Sequence, residues 1–131
     1  MKARTLSMWC ALAWAFAGPA LAQSQEMVPS VSRGQQLVES RCFGCHSVDS
    51  NRIGPALGGV VGRKAGKAEG HDYSKALAAA THTWTVAGLK AWLTDPEKVV
   101  PGQEMNYRLN LAQDREDVVA YLATLSKPAR P

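Results

Sequence analysis

The chain has 131 residues, with 15 Lys and Arg against 11 Asp and Glu, a formal charge of +4, three Cys and 7% aromatic residues. That length holds one small domain and excludes a multidomain enzyme. Hydrophobic residues make up 46%, but part of that share is concentrated in the first 22 residues, so the remainder must be read separately.

Lys2 and Arg4 precede an almost wholly apolar run from Thr5 to Ala17, and Ala20-Leu21-Ala22 places small residues three and one before a possible cut. This is the pattern of a cleaved secretory signal peptide at 1–22. The apolar run has 13 residues, short of the roughly 20 that span a bilayer, so no permanent membrane anchor is expected after cleavage. Cys10 follows Trp9 rather than a small residue, which argues against lipidation. Removing residues 1–22 leaves 109 residues with 13 basic and 11 acidic side chains, and a charge of +2 makes no case for nucleic-acid binding. It also leaves Cys42 and Cys45 as the cysteines of an exported, oxidising environment.

Residues 23–30 read as a polar N-terminal tail, and a domain is expected over 31–126. Val31, Gly34, Val38 and Cys42 fall near one face of a first helix, with Ser30 or Ser32 available to cap it. Six of the eleven glycines lie between Asp49 and Gly70, too many for a regular element, which predicts a loop. A short helix is expected over Tyr73 to Ala80. Thr85 can cap another, in which Leu89, Trp92 and Leu93 share a face and Pro96 forces an end. Val100 to Met105 contains Pro101 and Gly102 and reads as loop. Val118, Tyr121, Leu122 and Leu125 repeat at helical spacing, and Asp114, Glu116 and Asp117 supply an acidic first turn that suits the helix dipole. Residues 127–131 read as a C-terminal tail. No internal repeat is present and the class is all-α.

The chemistry is carried by Cys42-Phe43-Gly44-Cys45-His46, the c-type haem attachment pattern. Two thiols about one helical turn apart can add to the two vinyl groups on one edge of a porphyrin, while the adjacent imidazole is directed under the ring towards iron. A zinc site would need four ligands, with His71 and His82 recruited to complete it. A thioredoxin-like dithiol would need a preceding strand and alternating βαβ elements, and the pattern shows neither. For the opposite face of the iron, Met27 lies in the polar tail, whereas Met105 lies in a loop that can wrap a flat cofactor. Met105 is therefore the candidate second ligand, with His71 and His82 as competitors.

These residues resemble the class I cytochromes c, and within them the mitochondrial-type bacterial branch. The resemblance runs from about Gly34 to Leu125 and includes the Cys42 to His46 motif, the segment Gly54 to Gly66, Trp84, Pro101-Gly102 and Met105. It implies the cytochrome c fold, four to five short helices and loops wrapped around one covalently attached haem c. It implies that Cys42 and Cys45 attach the haem and that His46 and Met105 ligate its iron, the Met/His pair usual in cytochromes c. Pro55 matches the proline whose carbonyl accepts a hydrogen bond from the axial His, and Arg63, Tyr73 and Trp84 match groups near a haem propionate. Trp92 stands where mitochondrial-type members have a Tyr beside the axial Met, and Leu77 and Gln103 replace the usual Asn and Thr. Those departures imply that the polar network around Met105 is not kept intact, leaving a looser bond or a less polar pocket. Gly34 matches a close crossing of the first and last helices.

The resemblance further implies a soluble one-electron carrier of the bacterial periplasm, a monomer that serves respiratory or dehydrogenase partners and is not an enzyme. Glu97 and Glu104 dilute the docking lysines of the family, while Arg63, Lys64, Lys67, Lys75, Lys90 and Lys98 persist, giving a mixed, weakly basic docking face. A Met and a His on the two faces leave iron no open position. The competing readings are a gas-binding or sensing haem protein with a labile Met ligand, and a peroxidase-like enzyme, which would need an open iron and distal acid/base groups. A domain this small, with this much loop, is expected to rely on haem for its core, so the haem-free chain should fold poorly.

Overall fold

The computed structural model describes residues 27–125. The signal peptide expected at 1–22, the start of the N-terminal tail and the C-terminal tail at 127–131 lie outside the described residues. Five helices follow in order: α1 Val31–Arg41, α2 Lys75–Ala78, α3 Val86–Thr94, α4 Pro96–Val99 and α5 Ala112–Thr124. Among the described residues there is no strand, and β-type pairing is limited to an isolated bridge between Lys64 and Thr83. The all-α expectation holds.

Local chemistry accounts for most of the helix ends. The Ser30 hydroxyl accepts from the Arg33 N–H at 3.3 Å, and that of Thr85 accepts from the Gly88 N–H at 2.9 Å. Pro96 ends α3 as expected, and it also opens α4, which the pattern did not show; its fixed φ suits the first helical position, where a missing N–H is harmless. The helix expected over Tyr73 to Ala80 is confined to Lys75–Ala78, because the Ser74 hydroxyl caps it by accepting from the Leu77 N–H. The glycine-rich stretch is loop. Gly66 sits there at φ +64° with its α-carbon against the Leu77 carbonyl, an approach no β-carbon would allow.

The main helix contact is between α1 and α5. A β-carbon on Gly34 would collide with the backbone carbonyl of Asp117, so the two helices approach to backbone contact at that point. Around it Val38, Val118, Val119 and Leu122 are buried. Val31, expected on the same face, is exposed because it starts the helix beyond the crossing. Of the three acidic residues expected in the first turn of α5, Asp114 alone lies there, because the helix already begins at Ala112. Asp114 and Asp117 are buried rather than solvated at the helix end, with 1% and 0% of their surface exposed.

Two buried carboxylates require partners, and α1 supplies them. Arg33 forks across the pair, donating to Asp114 through Nη2 and to Asp117 at 2.8 Å through Nη1. Arg41 lies 3.4 Å from Asp114. Asp117 also accepts from the Ser30 N–H at 2.7 Å and from Gln113 Nε2 at 2.9 Å. The helix crossing is thus clamped by charge at one end and by apolar packing at the other. Replacing Gly34 by Ala tests the crossing, because Ala is the better helix former by about 1 kcal/mol. The expected outcome is nevertheless a lower Tm for Gly34→Ala holoprotein; a Tm at or above that of the parent would show that the close approach is unimportant.

Candidate haem site

The motif begins where α1 ends. The Cys42 and Phe43 N–H groups still donate to the Val38 carbonyl, at 2.8 and 3.1 Å, and the Cys45 and His46 N–H groups then donate to the Cys42 carbonyl at 3.0 and 2.9 Å. This tight turn sets both thiols and the imidazole on the wall of one cavity. Cys45 is exposed and Cys42 half-buried, and the two are not joined as a disulfide. Burial pushes the Cys42 thiol up to about 11, against the pull of Arg41 and with a small push from Cys45. At neutral pH it is therefore a protonated thiol.

The His46 ring is fixed from two sides. Its Nδ1 lies 2.8 Å from the Pro55 carbonyl oxygen. A carbonyl can only accept, so Nδ1 carries the proton and Nε2 keeps a free lone pair, the state in which an imidazole binds metal. Gly54 provides the space, since a β-carbon there would collide with the imidazole. The Gly54 loop is tied back to the motif, with the Gly54 N–H donating to the Cys45 carbonyl at 2.8 Å and Arg52 donating to the Phe43 carbonyl. Burial holds the His46 imidazole below its usual range; the Pro55 contact pulls it up, and the charges of His71 and Arg63 push it down. It is neutral and ready to act as a donor.

Met105 arrives on the loop after α4. That loop is anchored by the Gly102 N–H donating to Glu97 at 2.9 Å and by the Leu109 N–H donating to the Leu93 carbonyl of α3 at 2.7 Å. From α3 the Trp92 indole Nε1–H donates to Met105 Sδ at 3.3 Å. The polar network expected to be missing around Met105 is thus replaced in part. Leu77 lines the cavity as an apolar group and Gln103 turns away to donate to Glu97 at 3.3 Å, but Trp92 supplies a donor to the sulfur.

All nine residues expected at the site, Cys42, Cys45, His46, Pro55, Arg63, Tyr73, Trp84, Trp92 and Met105, line the same cavity of about 480 Å³. Val38, Val60, Leu89, Leu93, Val118 and Leu122 complete its apolar walls. Arg63 and Tyr73 are among the polar groups that line it. Arg63 donates to the Ala56 and Gly58 carbonyls at 2.8 and 3.2 Å, which binds the loop to itself. The Tyr73 hydroxyl accepts from the Ala68 N–H at 3.2 Å and keeps its own proton to donate. His71 also lines the cavity, edge-on to Tyr73, whereas His82 packs edge-on against Trp84 and is not part of the wall. Among the described residues no group of three His, Cys, Asp or Glu side chains is arranged to hold a metal ion, so the zinc alternative has no ligand set there.

Sequence reasoning missed two supports. Gly54 is needed for the His46 ring, and Asn51 braces the loop by accepting from the Ala56 N–H at 3.0 Å and donating to the Glu69 carbonyl at 2.8 Å. Gly54 was visible only as a neighbour of Pro55, and nothing local marks Asn51.

Comparison with known proteins agrees with this geometry. The family model described as cytochrome c matches residues 31–126. The chain belongs to the class I cytochromes c. Cytochrome c2 of Rhodopseudomonas palustris is 40% identical over 107 residues, covering 69% of this chain and 94% of that protein. Cytochrome c of Euglena viridis is 42% identical over 96 residues, covering 71% of this chain and 94% of its own. The solved structure of cytochrome cH from Methylobacterium extorquens shares the fold with a TM-score of 0.69 at 40% identity, covering 72% of this chain and 98% of that one. This cytochrome is accordingly an electron carrier with one covalently bound iron haem c, and not an enzyme.

The cavity fits such a group. Its volume falls within the roughly 300–1,000 Å³ of ordinary ligand pockets, and its apolar walls are joined by polar groups that include the Arg63 guanidinium, as a porphyrin with carboxylate tails requires. Because its walls are the hydrophobic core itself, a chain unable to attach haem should lose that core. A Cys42→Ser, Cys45→Ser double variant is expected to lose most of its far-ultraviolet helical circular dichroism; retention of the full holoprotein signal would show that the core stands without haem.

Proposed function

We propose that Cys42 and Cys45 hold the haem through two thioethers, that His46 Nε2 and Met105 Sδ are its axial iron ligands, and that the protein shuttles single electrons between respiratory or dehydrogenase partners. The observation that carries this reading is the convergence on one cavity of both thiols, an imidazole with its Nε2 lone pair free, and a thioether sulfur. When bound, the haem supplies one-electron exchange at iron.

The chain's own residues give that exchange its character. Pro55, by accepting from Nδ1–H, strengthens the His46 donor and fixes its orientation. The neutral thioether of Met105 favours iron(II) relative to an anionic ligand, and the apolar walls that exclude water act in the same direction. Arg63 and Tyr73, which line the same cavity, would meet the propionates. Two strong protein ligands leave no position open for a substrate. The Trp92 contact to Met105 supports a firm sulfur ligand over the labile one that a gas sensor would need.

The same proposal includes cleavage after Ala22, a working domain over 31–126 and delivery of a monomer to the bacterial periplasm. No helix among the described residues is long and apolar enough to cross a membrane. The docking face would be only weakly basic. Arg63 faces inward, Lys90 is paired with Glu116 at 2.9 Å and Lys98 lies 3.9 Å from Asp95, while Lys64, Lys67 and Lys75 are exposed.

Absorption spectra of the purified exported protein test the ligand pair. A low-spin c-type spectrum with the weak far-red band of a Met–iron bond is expected, and Met105→Ala should abolish that band and admit carbon monoxide to the reduced iron. A high-spin spectrum from the unaltered protein would refute the His46/Met105 assignment. The docking face is tested by stopped-flow electron transfer to an acidic redox protein, whose rate should fall by about two- to threefold between 50 and 200 mM salt. A rate independent of ionic strength would rule out a basic docking surface.

A further inference from the structure

We propose that the mouth of the haem cavity is a docking rim of two signs, in which Glu104 receives a lysine or arginine of the redox partner while Arg52, beside the attachment turn, receives a carboxylate. This rests on the reading that the cavity holds the haem and exchanges electrons through its open side.

The rim consists of residues that line the cavity and yet stay exposed. Ile53 is the extreme case, 81% exposed, and Cys45 and Glu104 share that position. Arg52 adjoins Ile53 and donates to the Phe43 carbonyl, a neutral acceptor that leaves its charge uncompensated. Arg41 also lines the cavity, but it is drawn to Asp114 at 3.4 Å and its charge is matched there. The attachment side of the rim is therefore cationic through Arg52.

The Met105 loop carries the opposite sign. Glu104 precedes Met105 and its carboxylate has no ion pair among the described residues, because the cations of that neighbourhood, Lys98 and Arg108, lie 3.9 and 2.9 Å from Asp95. Glu97 accepts from the Gly102 N–H at 2.9 Å and from Gln103 Nε2 at 3.3 Å, both neutral donors, so it adds to the acidic excess. With His46 and Met105 on opposite faces of the haem, the two signs flank its edge from opposite sides.

The exposed Lys64, Lys67 and Lys75 do not line the cavity, whereas Glu104 does. The lysines thus steer approach from a distance, and the rim decides the contact. Asp72 is also exposed on the cavity wall, but it lies between Lys67 and Lys75 in the chain, where its charge is offset. Solvated pairs of this kind add little affinity, but they select orientation, because a partner turned half around would set like charges against each other. The fitting partner is a redox protein with an apolar spot for Ile53, a cation on one side of it and a carboxylate on the other.

The test oxidises reduced holoprotein in a stopped-flow instrument with two small ions of opposite charge, hexacyanoferrate(III) and tris(bipyridyl)cobalt(III), at about 10 mM ionic strength, where screening is weak. Glu104→Gln should slow the cobalt reaction by about two- to fivefold and speed the hexacyanoferrate reaction by a similar factor, and Arg52→Gln should do the reverse. A changed redox potential moves both rates in the same direction, so parallel shifts, or none, would overturn the proposal. If the parent reacts with neither ion, the electron-exchange reading fails and the docking rim fails with it; if the parent reacts with both and Glu104→Gln matches it, the rim alone fails. A second readout is independent of electron transfer. Tetralysine peptide added to the reduced parent should shift the backbone amide resonances of residues 102–106, and those shifts should be lost in Glu104→Gln. Peptide shifts confined to other surfaces would overturn the proposal. Should the same resonances move when the parent is concentrated without peptide, the occupant is a second copy of this chain and the assignment to a redox partner falls.

Discussion

The backbone contact between α1 and α5 at Gly34 is the constraint on which the haem site depends. The attachment motif follows α1 directly, so the position of Cys42, Cys45 and His46 is set by how α1 lies on the C-terminal helix. That contact is made close by the absence of a side chain at Gly34 and kept in register by Arg33 on the buried Asp114 and Asp117 carboxylates. Charge serves here as a locating device. Buried carboxylates without partners would be strongly unfavourable, so an arrangement that separates Arg33 from them is disfavoured.

From that anchor the cavity is assembled by loops whose own backbone groups are satisfied. Gly54 and Pro55 hold His46, Asn51 and Arg63 tie the glycine-rich segment to itself, and the Leu109 N–H ties the Met105 loop to α3. Little of this depends on regular secondary structure. Two of the five helices have four residues each, so rigidity must come from side-chain braces and from the haem that the apolar walls would enclose. The proposed function follows from the same economy of parts: with His46 and Met105 as its ligands, the iron would have both faces committed, and exchange of an electron is the chemistry left to it.

The polarity around Met105 shows how a departure from a family pattern can be compensated. The resemblance implies Asn and Thr where Leu77 and Gln103 stand; Leu77 brings no polar group to the cavity and Gln103 donates to Glu97. Trp92 replaces part of the loss, because α3 places its indole N–H within reach of the sulfur. The side-chain identities announced the loss; the replacement needed the third dimension.

The sequence by itself determined the cofactor chemistry, because Cys42, Cys45 and His46 fall within five residues and their spacing is a local property of one turn. It also determined the helical class, the cap at Thr85 and Met105 as candidate ligand, since each follows from residue type and its near neighbours, while the choice of Ser30 over Ser32 as the first cap was left to the structure. Tertiary structure alone decided what depends on pairs far apart in the chain: the burial of Asp114 and Asp117 against Arg33, the brace at Asn51, the inward turn of Arg63 and the aim of Trp92 at Met105. An acidic first turn reads the same whether water or an arginine faces it. Local periodicity carries no information about which, because the partner lies 84 positions away along the chain in the case of Arg33 and Asp117.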